Sequence, residues 1–231
     1  MADDQDMDQQ SDEYLTKEKS RPANLRDPEG TSRSILNAAT REFAEHGLSG
    51  ARIDRIAALA GINKRMLYHY YGDKNALYLA VLEAAYARIR AAEAELALDA
   101  LEPEASLLRL ARFTFDYYLA NPDFLSLLAT ENLHRAQHIS GSERLRSMHA
   151  LFLGDLGRVL ERGAETGVFR PGLDALDIYM TIAALGAFYL SNRFTLSAIF
   201  GRALSDPERV AAWRDHIGDV VLAYARARDR A

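Results

Sequence analysis

The sequence predicts an all-α chain: a small N-terminal three-helix unit built around a helix-turn-helix, followed by a larger C-terminal helical body. Three observations predict it. Residues 51–74, ARIDRIAALAGINKRMLYHYYGDK, place two short amphipathic segments on either side of a glycine. Beyond them, apolar residues recur at helical spacing, with proline, glycine and aspartate at the segment ends. The stretch LYLAVLEAAYARIRAAEAELALDA is rich in alanine and leucine, which favour helix.

Residues 1–30 carry a net charge of −5, and the first 20 are polar, acidic and poor in large apolar groups. Such a segment cannot offset the entropy of ordering, so a disordered tail is expected. Lys17, Lys19, Arg21 and Arg26 could form an arm in a minor groove, but the surrounding acids with Pro22 and Pro28 favour a solvated tail. The tail lacks the apolar core of a signal peptide, and a cytoplasmic protein is expected.

From Thr31 the pattern turns helical. Ile35, Ala38, Ala39, Phe43 and Ala44 line one side of a bracing helix that Gly47 is expected to stop. Ile53, Ile56, Ala57 and Ala60 share a face of the second helix. Gly61 supplies the turn, and Asn63 is placed to cap the third. Short side chains at Ala57, Ala60 and Gly61 let two helices cross closely, with Ile62 and Leu67 plugging the junction. With Leu67 inward, Lys64, Arg65, Tyr68 and His69 are left outside, a set of donors suited to a DNA major groove. Gly72 ends that helix and Asp73 caps the next. Lys74 then stands in its first turn, where an ammonium and backbone donors can hold a phosphate, and Arg52 is a further phosphate candidate.

These elements resemble the DNA-binding domain of TetR/AcrR-family transcriptional regulators: the 31–46 helix, then IDRIAALAGI, then LYHYYGDKNALYLAVLE. Tyr70 stands where the family often has His, and Tyr71 where it usually has Phe, so Tyr71 brings a hydroxyl that needs a partner. The resemblance implies DNA contacts from Arg52, Asn63, Lys64, Arg65, Tyr68, His69, Tyr70 and Lys74. It also implies an all-helical effector-binding and dimerisation domain over 81–231, after a DNA-binding domain over 31–80. The charge agrees: residues 31–80 carry +3 inside a chain of −5.

In the body, helices are expected over 74–100, 107–121, 122–138, 142–167, 173–200 and from Pro207 to Arg228. The run 178–190, IYMTIAALGAFYL, is too short to span a bilayer, which needs roughly 20 apolar residues. Ala183, Ala184, Gly186 and Ala187 suit packing against a twin helix. A homodimer joined through this helix and the last one is therefore expected to read a palindromic double-stranded operator, with no membrane partner.

Phe113, Tyr117, Phe124, Leu128, Glu131, Asn132, His134, Arg135, Tyr179 and Phe188 are the candidate lining of a pocket for a small-molecule effector, a pocket implied by the resemblance. A second reading makes the body a dimerisation or docking module without effector. A third binds a metal through Glu131, His134 and His138, which share a helix face at offsets of three and seven. No cofactor is expected. The absence of cysteine excludes disulfides and thiol catalysis, and no nucleophile elbow, Walker loop or dinucleotide fingerprint occurs, so an enzyme is not expected.

Overall fold

The structure, a computed structural model, describes residues 27–227. The expectations for residues 1–26, basic arm included, and for Arg228 lie outside these residues; residues 28–30, expected in the disordered tail, are helical. Among the described residues there are nine α-helices and no strand.

Helix α1 (Pro28–Gly50) begins where Asp27 accepts a hydrogen bond from Gly30 N–H, with Pro28 in the first turn. Gly47, at φ 64° and ψ 176°, interrupts the helical backbone where the sequence expected the helix to end. Helical backbone resumes to Gly50 before Ala51 N–H closes onto Gly47 C=O at 3.1 Å. Ile35, Ala39 and Phe43 are buried, and Phe43 meets Tyr78 edge-on at 5.1 Å.

Helices α2 (Ile53–Leu59) and α3 (Lys64–Tyr71) form the helix-turn-helix. Gly61 takes φ 68° in the turn, Ile62 N–H donates to Ala57 C=O, and Asn63 Oδ1 accepts from Met66 N–H at 2.9 Å. Ile56, Ala57, Ala60 and Leu67 fill the junction as their sizes predicted. Asp73 caps α4 (Lys74–Ala94) through Ala76 N–H.

Helix α4 stops at Ala94, short of the expected Ala100. Ala97 adopts left-handed backbone at φ 49°, and the chain makes a 3-10 turn over Leu98–Ala100, fastened by Ser106 Oγ to Leu98 C=O at 2.7 Å. Helix α5 (Pro103–Ala120) therefore begins four residues before the expected Leu107, with Pro103 in its first turn. Helix α6 (Pro122–Leu133) ends five residues before His138, because Arg135 and Ala136 both take positive φ, 55° and 58°. Helices α7 (Glu143–Glu165), α8 (Ala175–Phe200) and α9 (Pro207–Ala225) complete the chain. Past α9, Ala227 N–H donates to Val168 C=O and Arg170 N–H to Ala225 C=O, an isolated antiparallel bridge where helix was expected.

The body packs α5 against both α8 and α9, with α7 against α4 and α8, while α1 rests on α4 and α6. Arg214 grips the Asp116 carboxylate with two nitrogens at 2.7 and 2.6 Å, and Tyr189 stacks on Trp213 at 4.8 Å. Gly186 is buried under Tyr118 and Phe115 of its own chain, so it serves the interior and not the twin-helix face expected of it. Leu176, Met180, Ala184, Phe188 and Ile199 remain exposed on α8. No helix among the described residues is long and apolar enough to cross a membrane.

Candidate nucleic-acid interface and effector cleft

Helix α3 presents Lys64, Arg65, Tyr68 and His69 to solvent while Leu67 is fully buried, so anchor and reader occupy different faces of one short helix. Tyr68 is 40 % exposed. Asn63 is occupied as the cap of α3, which leaves its side-chain amide nitrogen as the group free to face DNA. Lys64 Nζ lies 3.0 Å from Asp54 on α2, an exposed pair that raises the lysine pKa by hydrogen bonding and by charge. Such pairs are weak in water, so phosphate or a base edge can displace the carboxylate.

Tyr71 ties α3 to the brace. Tyr71 Oη and Ser32 Oγ are 2.8 Å apart, which supplies the partner that the extra hydroxyl at this position required. Burial raises the Tyr71 pKa, keeping the phenol neutral. Tyr70 is half-buried on the core beside the Tyr71 ring, 6.4 Å between centroids, and meets His69 edge-on at 5.9 Å. Its body is therefore a packing element, and only its rim is available to a backbone phosphate. Lys74 Nζ reaches Ser49 C=O at 3.4 Å, tying the start of α4 to the end of α1.

Glu42 is the residue of this head that sequence reasoning missed. It is buried on α1, accepts Arg52 N–H at 2.8 Å and Arg55 Nε–H at 3.0 Å, and so seats a negative charge at the N-terminus of α2. This leaves the Arg52 side chain exposed at the head of α2. The signal was available: Glu42 sits one residue before Phe43, on the inner stretch of the brace.

The ten residues predicted to line an effector pocket do not converge. Phe124, Tyr117 and Tyr86 pack edge-to-face, with Tyr118 stacked on Phe124 at 5.8 Å, a filled aromatic core. Leu128, Glu131 and Asn132 border a void of about 80 Å³ with Leu82 and Ile139. Phe113 lines a shallow surface depression beside Arg112, and Phe188 is exposed on α8. Arg135 is exposed and His134 half-buried in the turn after α6. Two of the ten come near the larger cleft: Tyr179, whose ring meets Phe152 at 5.3 Å, and Tyr117, which lies within electrostatic reach of Glu93 and Arg90.

That cleft, of about 540 Å³, opens between α4, the 3-10 turn and α7, and is lined by Arg90, Glu93, Leu98, Met148 and Phe152 among alanines. The sequence reading omitted Arg90 and Glu93. Both fall on the inner stripe of α4 that begins with Leu82 and Tyr86, and two charges at such positions were a legible sign of a buried pair. Burial lifts the Glu93 carboxyl to about 7 against the opposing pull of Arg90.

The metal reading loses its geometry. His138 lies past the end of α6, its Nδ1 is 2.8 Å from Glu131, and Glu131 also accepts His138 and Ile139 backbone N–H groups, so the carboxylate closes the turn. Among the described residues no group of three His, Cys, Asp or Glu is arranged to hold a metal.

Residues 35–81 match the family described as bacterial regulatory proteins, tetR family, and residues 103–221 match the tetracyclin repressor-like C-terminal domain. The HTH-type transcriptional repressor NicS of Pseudomonas putida is 41 % identical over 192 residues, 83 % of this chain and 91 % of that protein. The HTH-type transcriptional repressor SCO4008 of Streptomyces coelicolor is 36 % identical over 160 residues, 69 % and 78 % of the two chains. Among solved structures, the putative transcriptional regulator SCO4942 of Streptomyces coelicolor superposes with a TM-score of 0.64 at 28 % identity, covering 84 % of this chain and 98 % of that one. With its outward-facing α3 on a braced helix-turn-helix and matches at both ends of the chain, this protein belongs to the TetR family of DNA-binding transcriptional regulators.

Proposed function

We propose that the chain is a cytoplasmic, homodimeric repressor that reads a palindromic operator through α3 and leaves it when a small molecule occupies the C-terminal body. The observation that carries the DNA half is α3 itself: Lys64, Arg65, Tyr68 and His69 face solvent together on a helix pinned by Leu67 below and by Tyr71 to Ser32 behind. Cations and hydroxyls so placed match the acceptors of guanine edges and phosphates. Arg52 and Lys74, at the starts of α2 and α4, are positioned for the flanking phosphates.

The exposed apolar face of α8 supports a dimer. Met180, Phe188 and Ile199 on a two-fold interface would exclude water and set the separation of the two α3 helices near one DNA turn. Helix α4 supports the release step. Its first turn abuts the end of α3 and its last turns carry Arg90 and Glu93 into the cleft, so one rigid rod of roughly 30 Å joins reader to cavity. A ligand that favours a different setting of α4 weakens operator binding by its differential affinity for that setting.

Selection of bound fragments from a random DNA pool tests the reading. A consensus with two-fold symmetry is the expected result; enrichment of no sequence, or of an asymmetric single half-site, sinks the dimeric-operator reading.

A further inference from the structure

The buried charges of α4 point to the chemistry of the effector, an inference that rests on the reading of the body as an effector domain. The side chains of Arg90 and Glu93 are 7 % and 2 % exposed. Arg90 Nη2 donates to Glu93 Oε1 at 3.0 Å, and Nε lies 2.9 Å from Oε2 without hydrogen-bond alignment. Arg90 Nη1 has no hydrogen-bond partner among the described residues. A buried guanidinium with an idle nitrogen is costly unless something else accepts from it. Its plane is held in place by the Phe152 ring, 4.0 Å from the guanidinium carbon, and by Tyr179 at 5.2 Å.

The surroundings say what can accept. Apart from this pair and two aspartates, Asp99 and Asp155, the cleft walls are alanines with Leu98, Met148, Leu151 and Phe152, so most of the surface a ligand's body would meet is apolar. Asp99 and Asp155 at the same cleft are already engaged by Arg158 and Arg162, which removes much of their repulsion toward an anion. With its carboxyl lifted to about 7, Glu93 is protonated in part of the population near neutrality and leaves the guanidinium charge incompletely balanced. A volume of about 540 Å³ lies within the range of small-molecule sites.

We propose that the effector is a small organic carboxylate with a compact apolar body, its carboxylate accepting from the guanidinium of Arg90, which lines the cleft, while its body fills the space between α4 and α7. Neutral ligands of the same shape lack the charge that the guanidinium selects, and a charge-assisted hydrogen bond of this kind separates the two by at least about tenfold in affinity.

Calorimetry and thermal shift on the full-length protein test this with hexanoate, benzoate and cyclohexanecarboxylate against hexanol, benzyl alcohol and cyclohexylmethanol. The carboxylates are expected to bind and stabilise, and to release selected operator DNA, with the alcohols weaker by that tenfold or more. Arg90→Met with Glu93→Leu, which replaces the pair by apolar groups and avoids a lone buried charge, is expected to erase the preference while retaining operator binding without probe. Arg90→Lys, with helicity checked by circular dichroism, keeps the charge but loses Nη1 and is expected to weaken carboxylate binding. Equal or better binding of the alcohols overturns the proposal, as does an absence of binding by any of the six probes or a preference that survives in the Arg90→Met, Glu93→Leu double variant. Operator binding measured without probe separates these failures from failure of the regulator reading, which would appear as wild-type protein that selects no DNA.

Discussion

The DNA-reading head and the helical body of this chain are built by opposite means. In the head, α2 and α3 are too short to stand alone, and the cap of α3, the turn and the small residues at their crossing are all neighbours in sequence. In the body, long helices meet partners far along the chain, as when Arg214 grips Asp116 or Tyr189 reaches Trp213 and Leu204. The head exposes its charges and buries a single carboxylate, Glu42, as a clamp. The body hides an ion pair beside a cleft. A reader of DNA needs rigidity and an open face, whereas a receiver of ligand needs an interior that a ligand can complete.

Substitutions that touch only one side sharpen this contrast. The largest effect is expected from Lys64→Ala combined with Arg65→Ala. Good base contacts discriminate by about 1–3 kcal/mol each, so the pair should lose about 100-fold or more in sequence-selective operator retardation, with helicity and dimerisation intact. Normal binding by the double variant would remove α3 from its role. In the body, Gly163→Ala is the counterpart. A Cβ built there falls 2.0 Å from the buried Phe169 ring, and overpacking of this kind costs about 1–3 kcal/mol, or several degrees in Tm. Differential scanning calorimetry should show the loss, and an unchanged Tm would mean that α7 and the segment carrying Phe169 slide apart freely.

Glu93 gives a pH signature. Its carboxyl is raised from the usual 4.5 to about 7, so between those values the folded chain holds a proton that the unfolded chain has released. Stability from this group is therefore full below the lower value and declines as pH rises through the window. Urea midpoints at about pH 5 and about pH 7.5 should fall with rising pH for the wild type relative to Glu93→Gln. Parallel profiles would place the carboxyl in an ordinary environment. The smallest effect is expected from Tyr71→Phe, which keeps the ring and removes the hydrogen bond to Ser32. Loss of such a bond costs about 1 kcal/mol, read as a small drop in the urea midpoint with operator affinity lowered less than threefold.

Much of the head was legible before any coordinates. Asn63 and Asp73 cap the helices they precede, Gly61 and Gly72 take positive φ, and Leu67 is the buried anchor of α3, each for a reason contained within a few residues. The body was legible as helices but not as a site. Aromatic side chains at Phe124 and Tyr117 look the same in sequence whether they fill a core or line a cavity, and here they fill a core. Arg90 and Glu93 carried a usable sign, two charges on an apolar stripe, yet a charge on a helix is exposed more often than buried.

What the sequence by itself determined is therefore everything whose cause is local: the all-helical class, the helix-turn-helix, the caps, and the faces that α1 and α3 turn inward. Only the structure showed where α4 and α6 stop, at Ala94 and Leu133, because no proline or glycine marks either end and it is the non-glycine residues Ala97, Arg135 and Ala136 that take left-handed backbone there. It also decided that Glu131 closes a turn onto His138, and that Glu93 and Arg90 share an interior beside a cleft. Burial of a charge is a property of what packs over it, and those helices come from distant parts of the chain.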